Sequence, residues 1–311
     1  MAIKIKGFGR KRDLNDIRDY TPETPQVKQL LQQSIGEDSN GVRTQIRKSK
    51  IMPDPLPPSV DNRKWCSPVE DQGNLGSCTA HAGTSMYEYM ERKAYGSGGK
   101  SIDGSRLFLY KTTRFLMGQE GIGDSGAYIR TTLGAIRMFG IPPEEYWPYT
   151  DRDPEFDLEP PTLVTSMAKE WQSVKQFRLD FSIDGNENIT RMKEYLAKGY
   201  AMQIGFTVYS SYKQGDKTGE IPYPSKNDAV EGGHSVLIVG YDDNKEIDNK
   251  LGRITKGAFL IQNSWGTGWG NRGFGWLPYD YFKSGPNGDV LADDVWTITK
   301  LEWLQTGEFF W

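Results

Sequence analysis

The run Asp71-Gln72-Gly73-Asn74-Leu75-Gly76-Ser77-Cys78 decides how this chain is read. It sets a glutamine six residues before a cysteine, on a glycine-rich turn that leads into a helix-forming segment from Thr79 to Tyr95. A sulfur at a helix start faces unpaired N–H groups and the positive end of the helix dipole, which both favour the thiolate. Cys78 is therefore a candidate nucleophile. A cysteine that attacks a carbonyl also needs a base, a group that holds the base, and donors for the developing oxyanion.

The base comes from a short list, because the chain holds only His81 and His234. His81 shares a helix face with Cys78, yet Ala80, Ala82, Met86 and Tyr89 around it mark a buried helix. A base on the nucleophile's own helix would also leave no cleft for substrate, so His81 is read as structural. His234 follows Gly232-Gly233 and opens the apolar run Val236-Leu237-Ile238-Val239, which puts an imidazole at the rim of a buried strand. Asn263 ends another predicted strand, Gly257–Gln262. Its side-chain oxygen can accept from one ring N–H of His234 and fix the tautomer. Trp265 stands beside that bond and can shield it from water. Gln72 offers an N–H donor to the oxyanion, together with the backbone N–H of Cys78.

Working outward, the composition of the 311 residues fits a globular protein: 36% hydrophobic, 25% charged and 12% aromatic. Lys and Arg number 38 against 41 Asp and Glu, a net charge of −3 with no implied basic patch, so nucleic acid is not an expected partner. No stretch approaches the ~18 apolar residues of a membrane span, and no secretory leader is evident. With two cysteines there is no disulfide framework, and a reducing, cytoplasmic compartment is expected, with non-classical secretion as the alternative. Two histidines and two cysteines this dispersed make no metal-ligand set, and no cofactor is expected.

Residues 1–58 read as an N-terminal extension. They are polar and charged, with one helix expected over Pro25–Ser34, and they end in Pro53-Asp54-Pro55-Leu56-Pro57-Pro58, an extended spacer. Helical patterns follow over Thr79–Tyr95, Ser105–Met117 and Gly126–Phe139, the last stopped by Gly140 and Pro142-Pro143. Asp151–Pro161 reads as a crossover. Beyond it, a helix at Glu187–Ala197 precedes strands at Tyr200–Val208, His234–Tyr241, Gly257–Gln262, Gly273–Leu277 and Val290–Thr299. Helices first and strands later predict an α+β protein of two lobes, a helical one at about 65–150 and a β-rich one at about 162–300.

Gln72 through Cys78, Gly233-His234, and Asn263-Ser264-Trp265-Gly266-Thr267-Gly268-Trp269-Gly270 together resemble the papain family of cysteine peptidases. The likeness spans roughly Val60 to Thr299. It implies a helical lobe and an antiparallel, barrel-like β lobe with the cleft between them. It also implies peptide-bond hydrolysis through a Cys78 acyl-enzyme, with His234 as general base and acid. A transamidase, ligase or exopeptidase on the same fold, or a non-catalytic binding module, is the alternative. By the same resemblance, Ser125-Gly126-Ala127-Tyr128 forms the wall that binds substrate backbone, and Ile204 and Ser235 help line the main specificity pocket, with Ala127 near its neighbour and Trp265 also counted among the substrate-binding residues. An apolar side chain is expected there.

The departures matter too. Leu75 and Thr79 replace the cysteine and the aromatic of the family signature, and the missing cysteine's partner would fall near Asp124. That fits a bacterial-type, xylellain-like branch without the usual disulfide. His234 and Asn263 lie 156 and 185 residues beyond Cys78, which makes Asp242–Thr255 look like an insertion. The family implies a Cys78–His234 ion pair. The 77 residues before Cys78 imply a pro-segment or a strap bound in cis over the cleft, so the chain is read as a zymogen.

Overall fold

The computed structural model describes residues 7–33, 55–95, 101–172 and 175–299. Pro53-Asp54 of the spacer, Ser34, the polar run after it and Lys300 lie outside the described residues.

The helical lobe is built round α2 (Cys78–Ala94), of which every residue but Arg92 is buried. A helix buried on all sides must lie at the centre of a lobe. Its small residues allow that: a side chain added at Gly83 would touch Thr132, Gln203 and Leu109 at once. Against it pack α3 (Arg106–Leu116), capped by the Ser105 hydroxyl accepting from the Phe108 N–H, and α4 (Ile129–Phe139). Gly140 ends α4 at a φ of 80°, as its place before Pro142-Pro143 suggests. Several charged side chains lie inside this lobe, Glu88 and Arg106 among them. Glu88 is wholly buried, but it receives the Arg106 guanidinium at 3.1 Å and the Gly104 N–H at 2.8 Å.

The β lobe is an antiparallel sheet. Its order is β4 (Lys175–Arg178), β9 (Ala292–Thr299), β5 (Met202–Tyr209), β6 (Val230–Asp248), β7 (Ile254–Gln262) and β8 (Phe274–Pro278), with β2 (Ser59–Asp61) added to β6. Helix α6 (Gly185–Ala197), capped by Asp184, packs near β6, and α5 (Thr162–Ala168) buries Val164 and Ala168 in a small cluster with Phe108 of α3. The segment Asp242–Thr255 is not a looped-out insertion. It continues the β6–β7 ladder, with Glu246 opposite Lys256 and Asp248 opposite Ile254 beyond a register shift. β2 and β4 escape the sequence pattern because they are three and four residues long.

Helix α1 (Pro25–Gln33) buries Val27 and Leu30. Upstream of it, β1 (Arg10–Lys11) pairs with β3 (Ala127–Tyr128), the short strand at the start of α4. No helix among the described residues is long and apolar enough to cross a membrane.

Candidate active site

Cys78 is the first residue of α2, reached through the Gln72–Ser77 turn. The family's disulfide would tether this turn. Here a carboxylate does so: Asp124 accepts the Gly76 N–H at 2.8 Å and also the Tyr110 hydroxyl. Tyr149 holds the same turn, donating to the Gln72 carbonyl at 2.8 Å and meeting the Ser77 hydroxyl at 2.7 Å. His81 takes no part. Its Nδ1 meets the Ser77 carbonyl and hydroxyl, its ring packs edge-on to Tyr149, and burial pulls its pKa down to about 3.

His234 sits in β6 opposite Phe206 of β5, fully buried. Its Nε2–H donates to the Asn263 Oδ1 at 2.8 Å, and that oxygen also accepts the Ser264 N–H at 2.8 Å. The bond fixes the neutral tautomer with a lone pair on Nδ1, and no protein atom satisfies that Nδ1. Trp265 stacks on the imidazole, centroids 4.6 Å apart and planes 25° from parallel, which limits ring rotation and keeps water from the Asn263 bond.

The glutamine is aimed by its neighbours. Ser264 Oγ donates to Gln72 Oε1 at 2.6 Å, and the Gln72 N–H donates to the Ser264 carbonyl at 2.9 Å. With Oε1 occupied, Nε2 can only turn the other way. There it donates to the Leu75 carbonyl at 2.8 Å and to the Gly7 carbonyl at 2.9 Å.

Residues 7–12 therefore fill the groove. The Gly9 N–H bonds the Cys78 sulfur, joined by the N–H groups of Ser235 and Thr79. The Gly9 carbonyl accepts the Ala127 N–H at 2.7 Å. Phe8 stands edge-on to His234 and Trp265, each at 6.2 Å, and to Tyr212 at 5.9 Å. Two close approaches demand glycine: a Cβ at Gly9 would lie 1.9 Å from the Gly76 carbonyl oxygen, and one at Gly126 would lie 2.2 Å from the Gly9 oxygen.

This covering changes the electrostatics expected from the sequence. Burial pushes the Cys78 thiol up to about 11, although its three N–H donors pull the other way. Burial likewise lowers His234 to about 4, against the pull of the Asn263 bond. The covered site therefore holds a neutral thiol and a neutral imidazole, not the ion pair.

The surroundings of Ile204 and Ser235 also differ from expectation. Ser235 lies opposite Gly205, and Ile204 opposite Val236. Neighbouring residues of a strand point to opposite faces, so Ile204 turns into the core and the bare Gly205 faces the pocket. Ser235 spends its hydroxyl on the Ile204 carbonyl at 2.9 Å. The side chain that lies over Gly205 is that of Arg10, in contact with Asp293 and Asp294. Sequence reasoning missed Phe8, Arg10, Gly205 and both aspartates. The 77 residues before Cys78 signalled a strap, and the spacing Gly7-Phe8-Gly9-Arg10, small residues flanking an aromatic in an otherwise polar tail, could have located it.

Residues 56–285 match the family described as papain family cysteine protease. A peptidase C1-like protein of Acanthamoeba polyphaga mimivirus is 35% identical over 91% of this chain and 86% of its own length. Procathepsin L of Felis catus is 28% identical over 76% of this chain, which spans 66% of that relative, just under two thirds. Among solved structures, xylellain, a cysteine protease from Xylella fastidiosa, has 31% identity and a TM-score of 0.70, covering 95% of this chain and 96% of its own. On the site geometry and on a family match over most of its length, this chain belongs to the papain family of cysteine proteases.

Proposed function

We propose that this protein is a cysteine endopeptidase in which Cys78 attacks, His234 moves the proton, Asn263 orients His234 and Gln72 receives the oxyanion. The observation that carries this is the 2.8 Å bond from His234 Nε2 to Asn263, which leaves the lone pair on Nδ1 as the only one the imidazole can offer a thiol. In the cycle, Nδ1 takes the Cys78 proton as the sulfur adds to the peptide carbonyl. The oxyanion accepts from Gln72 Nε2 and the Cys78 backbone N–H. The tetrahedral adduct then collapses, breaking the C–N bond while the imidazolium protonates the departing amine. Water, deprotonated by the same nitrogen, attacks the thioester and regenerates the thiol.

Residues 1–58 act as an inhibitory extension to a peptidase domain over 59–311, with residues 7–12 as the strap. The strap resists attack because it offers Cys78 an N–H, that of Gly9, while the carbonyl oxygen held by Gln72 belongs to Gly7. A reducing cytoplasmic setting suits Cys66 and Cys78, both free thiols. The test is hydrolysis of fluorogenic peptides by the full chain, by Cys78→Ala and by Asn263→Ala, with intact mass followed over time. Loss of hydrolysis in Cys78→Ala, and a drop of at least about tenfold in kcat for Asn263→Ala, is expected. Hydrolysis that survives in Cys78→Ala contradicts the reading. Mass loss in the parent chain but not in Cys78→Ala would show that the extension is self-cleaved.

A further inference from the structure

We propose that Asp293 and Asp294 form the floor of a subsite that selects a basic side chain, arginine above lysine, from the substrate residue that pairs with Ala127. This rests on the endopeptidase reading above.

The floor is made by an irregular strand. Between the pairs Gln203–Trp296 and Gly205–Asp293, β5 contributes one residue and β9 two, so β9 carries a bulge. The extra residue is accommodated by Asp294, whose φ of 57° is unusual for a residue with a side chain. In a regular strand Asp293 and Asp294 would point to opposite faces. The bulge brings both carboxylates to one point, where the Arg10 Nη2 contacts each. Non-glycine residues held in this region of backbone space tend to mark functional sites.

The space above the floor exists because position 205 has no side chain. A Cβ there would lie 2.1 Å from the Arg10 Nε. Gly205 thus opens a slot the width of a guanidinium in the middle of a sheet, where glycine otherwise weakens a strand.

Charge favours a cationic occupant from outside. The strap brings Arg10 and Arg12 to Asp293, and Asp13 and Asp19 to Arg130. When the strap withdraws, Asp293 and Asp294 lose Arg10, and Arg178 is the guanidinium that stays bonded to Asp294. Arg178 is already divided between Asp180 at 2.7 Å and Asp294 at 3.1 Å. Asp180 and Asp294 then share Arg178, Asp293 keeps none of its strap partners, and the Asp294 side chain is fully buried. A buried carboxylate without its partner is costly, so the vacated slot is completed by one cation. Arg10 pairs its backbone with Ala127, so an extended substrate segment on the same strand edge delivers its own side chain into this slot. Arginine fits better than lysine because one planar fork can reach two carboxylates.

The test uses the full-length chain with Gly9→Val to unseat the strap and Arg10→Ala to empty the slot. A positional library of fluorogenic peptides is profiled, and the same variant with Asp293→Asn is compared. A preference for arginine over leucine of at least about tenfold at one fixed position, reduced in Asp293→Asn, is expected. Cleavage with an apolar preference, or none, at every position overturns the subsite and leaves the endopeptidase reading standing. Calorimetric binding of paired arginine and leucine peptides to the Gly9→Val, Arg10→Ala, Cys78→Ala chain decides the slot without turnover or an altered floor. Tighter arginine binding supports the subsite even if nothing is cut, which would fault only the endopeptidase reading. Equal affinities overturn it.

Discussion

Gln72 Nε2 donates to the carbonyl oxygen of Gly7 across 2.9 Å, so the strap occupies the donor that a reacting carbonyl needs. Because Ser264 holds Gln72 Oε1 at 2.6 Å, the amide cannot flip away, and whatever carbonyl enters the groove meets the same N–H. The strap's hold on the groove and the competence of the site thus share one side chain.

Gln72→Ala should lower kcat by ~10²–10³ once the strap is unseated, with KM changed little, because the donor acts chiefly on the oxyanion. Steady-state kinetics in the Gly9→Val background measure this. An effect confined to KM would show that Gln72 binds ground-state substrate instead.

The strap should hold best in a bounded pH range. The covered thiol titrates at about 11 against an ordinary 9.0, so it stabilises closure below 9, and that contribution fades as pH climbs from 9 to 11. The covered imidazole titrates at about 4 against 6.5, so its contribution is complete above 6.5 and is lost as pH falls toward 4. Asp294, raised by burial to about 7, is held down by the strap's own Arg10, so closure favours its charged form and protonation weakens the tie to Arg10. Asp294 and His234 therefore both loosen the strap on the acid side. Hydrogen exchange of residues 7–12, corrected for intrinsic rates, should show greatest protection between pH 6.5 and 9. Protection that does not change from pH 4 to 9 contradicts this.

Asp124→Ala should destabilise the protein by about 1–3 kcal/mol, because it strands the buried Gly76 N–H and the Tyr110 hydroxyl. Denaturant unfolding measures the loss. Asp124→Asn keeps an acceptor for Gly76 and should recover part of it.

The nucleophile's turn and the histidine strand were legible in the sequence because local chemistry specifies them. Glycine spacing set the turn before Cys78, and with two histidines the choice of base was nearly forced. Gly140 marked the end of α4 for the same local reason. The specificity pocket was not legible, since its floor depends on a bulge that shifts β9 by one residue against β5. Along β5, alternation turns Ile204 into the core and leaves Gly205 facing Arg10, a one-residue difference that the sequence did not resolve. A strap over the cleft was expected from the 77 residues before Cys78, but which of them form it was not legible. Its anchors are ion pairs such as Arg130 with Asp13 and Asp19, more than a hundred residues apart, and no pattern within residues 7–20 announces them. The neutral state of Cys78 and His234 follows from how closely residues 7–12 cover them, so it was hidden too.

The most direct test is the rate at which a peptidyl epoxide labels Cys78 at neutral pH in the full-length chain and in Gly9→Val. A side chain at position 9 would drive into the Gly76 backbone, 1.9 Å from its oxygen, and neither backbone can yield cheaply. Labelling of Gly9→Val at least about tenfold faster than the parent, with circular dichroism unchanged, is the result expected when a competent site lies beneath the strap. Equal labelling rates in the two chains would contradict it.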